Sequence, residues 1–237
     1  MTKTLVTGGA KGLGAHLSLA LAKNGNPLII HYNTSLDSAL ALQEECRKYT
    51  PDIEIIQGDF SSPDLVNDFI RRLKSDFPDV KNLVNNVGNY LIKSALKTET
   101  KEWIDLFQTN LHAPFALCRN LSDSLIKNSG SIINIGVAGI PGLRADIYSP
   151  AYSIGKSALY GLTKSLAKEL IQHNVTVNMV SPGYLENSVD LPGDPMKLLM
   201  ERSAKYSEVS DMILYLLSEK GRYITGQNIE ISGGVRL

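Results

Sequence analysis

Short apolar runs alternate with amphipathic stretches along the whole chain. Thr4–Thr7, Pro27–Tyr32, Ile53–Gln57, Asn82–Val87, Ser131–Ile135, Val175–Val180 and Gln227–Ser232 read as strands. Between them the spacing becomes helical. Leu13, Leu17 and Leu21 form one stripe of a helix expected over Gly12–Asn24. Further helices are expected at Leu36–Lys48, Thr100–Leu125, Ala151–His173 and Ser207–Glu219. Another opens at Ser61-Ser62-Pro63-Asp64, with a serine cap and proline at the first helical position, and runs to about Phe77. Pro114 predicts a kink in the long helix that contains it. The strand runs are continuously apolar, which suits strands covered on both faces. Their alternation with helices predicts right-handed βαβ units, hence an α/β fold with three layers around a doubly wound, mostly parallel seven-stranded sheet. With no linker or repeat, residues 1–237 are expected to form a single domain. One long irregular stretch, about 183–206, follows the sixth strand, at the carboxyl ends where such sheets bind ligands, and is expected to be a substrate loop.

Composition narrows the function classes. Lys+Arg and Asp+Glu both number 24, so nothing electrostatic suggests nucleic acid or an anionic membrane as a partner. No apolar run approaches a membrane span, and a strand beginning at Thr4 leaves no room for a signal peptide, so a cytoplasmic protein is expected. Cys46 and Cys118 read as structural free thiols in helices. His16, His31, His112 and His173 show no metal-ligand spacing and read as surface or packing residues, and no metal is expected. Trp103 reads as a packing residue.

The segment Thr7-Gly8-Gly9-Ala10-Lys11-Gly12-Leu13-Gly14 links the first strand to the first helix. A dinucleotide pyrophosphate needs backbone N–H donors and a positive helix end, and glycine permits its close approach. The spacing Thr-Gly-x-x-x-Gly-x-Gly resembles the cofactor motif of the short-chain dehydrogenase/reductase family, and motifs along the rest of the chain match in order. They are Asp59-Phe60, Asn85-Asn86-Val87-Gly88, Asn110, Tyr152-x-x-x-Lys156, Ser181-Pro182-Gly183 and Ile224-Thr225-Gly226-Gln227. The resemblance implies a Rossmann-type fold and cofactor contacts from Gly8, Lys11, Gly12, Leu13, Gly14, Asn33, Asp59, Phe60, Asn86, Gly88, Pro182 and Gly183, together with Tyr152 and Lys156. It also implies catalysis by Tyr152, Lys156 and Asn110. In the family the tyrosine gives the proton, the lysine binds the nicotinamide ribose, and the asparagine holds a water that relays protons. Tyr152 and Lys156, four apart on a helix, share a face. A free phenol titrates near pH 10, and a neighbouring ammonium favours its ionised form.

NADP(H) is the expected cofactor. NAD-preferring members usually carry an acid at the end of the second strand, where this chain has Tyr32 followed by Asn33-Thr34-Ser35, and Lys11 offers a cation to a 2′-phosphate. One departure stands out. The family's catalytic serine, three residues past Asn134, falls on Val137, which can donate nothing. From Val137 to Tyr152 is a separation of 15 residues, slightly long for the family, with Arg144, Asp146, Tyr148 and Ser149 as possible replacements. His31-Tyr32-Asn33 faintly resembles the pteridine-reductase branch, but Val137 does not supply that branch's aspartate. The expected activity is an NADPH-dependent reductase of a small-molecule carbonyl substrate, a carrier-protein-linked 3-oxoacyl group or a small ketone. The alternatives are a pteridine-type reductase and a non-catalytic NADP(H)-binding or regulatory protein. A homo-oligomer, a tetramer, is expected from the two long helices.

Overall fold

The computed structural model describes residues 2–142, 145–189 and 191–235, with Pro141 and Pro195 described by backbone alone. The strands are β1 (Lys3–Val6), β2 (Leu28–Tyr32), β3 (Ile53–Gln57), β4 (Val80–Asn85), β5 (Ser131–Ile135), β6 (Thr176–Pro182) and β7 (Asn228–Ile231). They form one sheet in the order β3-β2-β1-β4-β5-β6-β7, and every pairing is parallel. The chain moves outward from β1 in one direction and then, starting at β4, in the other. The crevice between the carboxyl ends of β1 and β4 is therefore the topological switch point.

Helices α1 (Gly12–Lys23), α2 (Leu36–Arg47) and α7 (Tyr206–Leu217) cover one face, and α3 (Pro63–Asp76), α5 (Ala113–Lys127) and α6 (Pro150–Leu170) the other, with α4 (Thr100–Phe107) preceding α5. Neighbouring strand residues divide between two cores. Leu5 and Ile29 pack with Phe69, Leu73 and Leu117, while Val6, Leu28 and Ile30 pack with Leu17, Leu21 and Ile213. That is the two-residue alternation of a strand buried on both faces. In α3, Val66, Phe69, Ile70 and Leu73 are the buried positions, at helical spacing. Ser62 caps this helix by accepting from Leu65 N–H, with Pro63 at its start.

Several boundaries shift by a few residues from the sequence reading, and three of the differences bear on the site. β4 ends at Asn85 and not at Val87, because the N–H groups of Asn86 and Val87 turn to the hydroxyl of Thr7 at 2.9 and 3.1 Å. β6 continues to Pro182 beside β7. The long helix at Pro114 is broken earlier than the proline itself, by a π-helical turn at Gln108–His112 between α4 and α5. Pro114 has no N–H to give the carbonyl of Asn110, and a turn with a wider hydrogen-bond ring takes up the mismatch. The described residues of the stretch 183–205 are mostly irregular, with a 3₁₀ turn at Pro195–Lys197 and a bridge between Leu185 and Ala204, and α7 begins at Tyr206. Among the described residues no helix is long and apolar enough to cross a membrane.

Candidate active site

The glycine loop lies at the switch point. Gly8 and Gly12 both have positive φ, +59° and +53°. A Cβ on Gly14 would lie 2.2 Å from the carbonyl oxygen of Gly8, so only glycine lets α1 start this close to the loop. Lys11, exposed, is the N-cap of α1 without a side-chain cap, and the first turn carries no acidic residue. The positive end of α1 is thus left for an external anion. Leu13 turns its side chain toward the core. The pyrophosphate of a dinucleotide fits this cradle.

Two residues brace the loop. The Thr7 hydroxyl donates to Val84 O and accepts from Asn86 and Val87 N–H, while Asn86 Nδ2 donates to the carbonyls of Thr7 and Gly8. Asn86 therefore shapes the cofactor loop from behind. His31, 2% exposed, does the same from β2. Its Nδ1 accepts from Gly8 N–H at 2.9 Å, so its Nε2 carries the proton and donates to Gly58 O at 3.1 Å. Burial pulls its pKa down to about 4. His31 is a packing residue, as its place in an apolar strand suggests, and it also ties the cofactor loop to the turn after β3. The signal in the sequence was a titratable ring inside an otherwise apolar run, which must find partners when buried.

The turn after β3 is packed from within. Phe60 is 4% exposed and its ring stacks on His31 at 4.4 Å. Its side chain belongs to the core, where it covers the imidazole, so a cofactor contact from Phe60 falls to its backbone. Asp59 is half-buried beside it and accepts from Ser61 N–H at 2.8 Å. Asn33 is exposed past the end of β2, its carbonyl receiving Gln57 Nε2 at 3.3 Å.

On the other side of the crevice, the structure brings Gly88, Asn110, Tyr152 and Lys156 together. Lys156, 3% exposed, donates to Ile135 O at 2.7 Å, and burial pulls its pKa down to about 8. Its Nζ lies 5.7 Å from the centre of the Tyr152 ring. A Cβ on Gly88 would come within 3.1 Å of Asn110 Oδ1 and 3.2 Å of Lys156 Nζ, so glycine here lets the ammonium reach the crevice. An ammonium has three donors and Ile135 takes one, which fits a group bearing vicinal hydroxyls such as a ribose. Asn110 is wholly buried in the π turn. It accepts from Asn89 N–H at 2.8 Å and donates to Asn89 O at 2.9 Å. Pro182 accepts from Ala138 N–H through its carbonyl, and Gly183 N–H donates to Ile231 O, which fixes the turn after β6.

Val137 is partly buried and packs with Ile140, Leu159 and Met179. Of the polar residues that follow it, Asp146 accepts from the N–H groups of Tyr148 and Ser149 and from the hydroxyls of Ser149 and Ser153. Asp146 and Ser149 thus close the start of α6. Tyr148 is 72% exposed, and Arg144 lies outside the described residues. Nearer the centre is a residue the sequence reading passed over. The ring of Tyr90 meets that of Tyr152 edge to face, with centroids 4.7 Å apart. Among the described residues there is no cluster of His, Cys, Asp or Glu able to hold a metal ion.

The chain is similar to known proteins over nearly its whole length. A family model described as short chain dehydrogenase matches residues 2–192. A 3-oxoacyl-[acyl-carrier-protein] reductase of Staphylococcus aureus is 32% identical, over 99% of this chain and 98% of its own. Among solved structures, an acetoin dehydrogenase from Salmonella typhimurium superposes with a TM-score of 0.89 at 29% identity, covering 99% of this chain and 96% of its own. A blue fluorescent protein from a metagenomic library, solved with NADPH, reaches 0.90 at 27% identity and covers 100% and 98%. The chain belongs to the short-chain dehydrogenase/reductase family and is an NAD(P)-dependent oxidoreductase.

Proposed function

We propose that this enzyme is an NADPH-dependent carbonyl reductase with Tyr152 as proton donor, acting on 3-oxoacyl-type substrates or small ketones. The observation that carries the reading is the buried Lys156 ammonium beside the Tyr152 ring, at the crevice where the glycine loop and Gly88 also meet. The cofactor, when bound, supplies the hydride to the carbonyl carbon. Tyr152 gives its hydroxyl proton to the carbonyl oxygen as that oxygen gains charge. Lys156, held by Ile135 O, keeps a positive charge near the phenol and stabilises the phenolate left behind. The 3-oxoacyl class is supported by the Staphylococcus aureus relative, and small ketones by the acetoin dehydrogenase likeness. Buried free thiols at Cys46 and Cys118 suit a reducing compartment and support a cytoplasmic location.

Val137 favours a second reading, a protein that binds NADP(H) without turnover. Following NADPH consumption with acetoacetyl-coenzyme A and with diacetyl, for wild type and Tyr152→Phe, decides between them. The expected result is turnover of at least one compound by wild type and a fall of ~10²-fold or more in Tyr152→Phe with NADPH binding retained. Near-normal kcat in Tyr152→Phe removes Tyr152 from the mechanism.

A further inference from the structure

Between the glycine loop and the base of the substrate loop lies a hydroxyl with no role so far. Two of the loop's glycines are packed within the fold. A Cβ on Gly8 would come within 3.1 Å of the Val87 side chain, and one on Gly14 within 2.2 Å of Gly8 O. Gly12 differs. Outside its own helix and its chain neighbours, a Cβ there would meet a single described atom within 4 Å, the Tyr206 hydroxyl at 3.7 Å. Gly12 opens α1, whose start has no side-chain cap and no acid in its first turn. The open side of the anion cradle therefore faces Tyr206.

Tyr206 is the first residue of α7, which packs against α1. Its N–H donates to Glu186 Oε1 at 3.1 Å, and the N–H of Lys205 before it donates to Glu208 Oε2 at 2.8 Å. Its ring lies 6.3 Å from that of His16 on α1, and His16 Nδ1 is bonded to Ser210 of α7 at 3.0 Å. The backbone of Tyr206 is thus fixed. Its side chain is half-buried, and among the described residues its hydroxyl has no hydrogen-bond partner.

We infer that Tyr206 is a cofactor-binding residue, its hydroxyl donating a hydrogen bond to the pyrophosphate of the dinucleotide held at the start of α1. The inference rests on the NAD(P) site and not on the carbonyl substrate. The N–H groups of the α1 start serve the anion from one side, and a phenol can turn its one hydrogen to an anionic oxygen from the other. The same residue is tied to the substrate loop. Glu186, which holds its N–H, donates its own N–H to Ala204 O, and Ala204 N–H donates to Tyr184 O. The cofactor's phosphates and the base of the substrate loop therefore share one residue.

The test compares wild type with Tyr206→Phe, which removes only the hydroxyl, and Tyr206→Ala, which removes the ring as well. Fluorescence titration gives Kd for NADPH and NADH, and the thermal midpoint of each cofactor-free protein is measured beside it. The pyrophosphate is common to both cofactors. Tyr206→Phe is therefore expected to weaken both by the same factor, about tenfold, with the cofactor-free midpoint unchanged. ADP, competing against NADPH, is expected to lose affinity by that factor too. Tyr206→Phe values within about twofold of wild type overturn the inference, and a loss seen only in Tyr206→Ala then assigns the residue to packing. A loss confined to NADPH also overturns it, because it puts the hydroxyl at the 2′-phosphate. No turnover enters these measurements, so their outcome is independent of whether the carbonyl-reductase reading holds.

Discussion

At the scale of single residues, cofactor choice turns on charges at the loop ends. No carboxylate ends β2, where Tyr32 is followed by the exposed Asn33, so nothing there repels a 2′-phosphate. Lys11 is exposed at the start of α1 with no acid in the helix's first turn to neutralise it. We expect NADPH to bind more tightly than NADH, and Lys11→Ala to weaken NADPH about tenfold, ~1.4 kcal/mol, with NADH little changed. Fluorescence titration of both reduced cofactors against both proteins measures this. Equal losses for the two cofactors would show that Lys11 contacts something other than the 2′-phosphate. Residue identity and spacing made the close approach at Gly14 and the neighbouring placement of Tyr152 and Lys156 legible, because each follows from one residue type at one spacing. The pairing of Phe60 with His31 was not legible for the complementary reason. Their roles depend on each other's position across the β2–β3 pair, which spacing along the chain does not encode.

At the scale of elements, all seven strands and the main helices were readable, since each buries a face and keeps its period. What the pattern could not show was how elements end. β4 stops where Thr7, on a different strand, takes over its N–H groups, and the π turn lies ahead of the proline. The β1–β2–β3 corner yields a prediction of its own. His31 couples the Gly8 loop to Gly58 only as neutral imidazole, because Nδ1 must accept. Its folded pKa, about 4, lies below the ordinary 6.5, with burial the main cause. Arg72 adds to that shift, and Asp59 and the Gly58 carbonyl oppose it. Between these values the unfolded chain binds a proton that the folded protein refuses, so stability falls as the pH drops from about 6.5 towards 4 and this contribution levels off below. The effect amounts to about 3 kcal/mol. His31→Phe keeps the stack on Phe60 but leaves Gly8 N–H and Gly58 C=O unpaired, costing roughly 2–4 kcal/mol at neutral pH. Urea unfolding across this range is expected to show a smaller pH slope in the variant than in wild type. Parallel pH profiles would assign the acid sensitivity to other groups.

At the scale of the whole molecule, the surface suggests that one chain is not the working unit. The two helix systems that carry the proposed catalytic residues also expose apolar side chains. Ile104 of α4 is 57% exposed, Phe115 of α5 49% and Ile154 of α6 47%. Trp103 and Phe107 stack at 5.0 Å on α4 beside them. Helices that already bury one face against their own sheet have no intramolecular use for these groups, and isolated instances are ordinary on a surface. Their placement on α4, α5 and α6 fits helices packed against their copies across two-fold axes, each axis bringing the same residues together from both sides. We expect a tetramer. Light scattering at micromolar concentration should give four times the 25.9 kDa chain mass. Phe115→Glu and Ile154→Glu, which place charge on α5 and α6 respectively, should each lower that mass, and the thermal midpoint of wild type should rise with protein concentration. The two variants separate the axes. If α5 and α6 serve different interfaces, each variant leaves a dimer and only the double variant reaches the monomer. If they share one, either change alone removes the same contact. A wild type that scatters at 25.9 kDa rejects the assembly and returns these side chains to the ordinary apolar surface of a monomer.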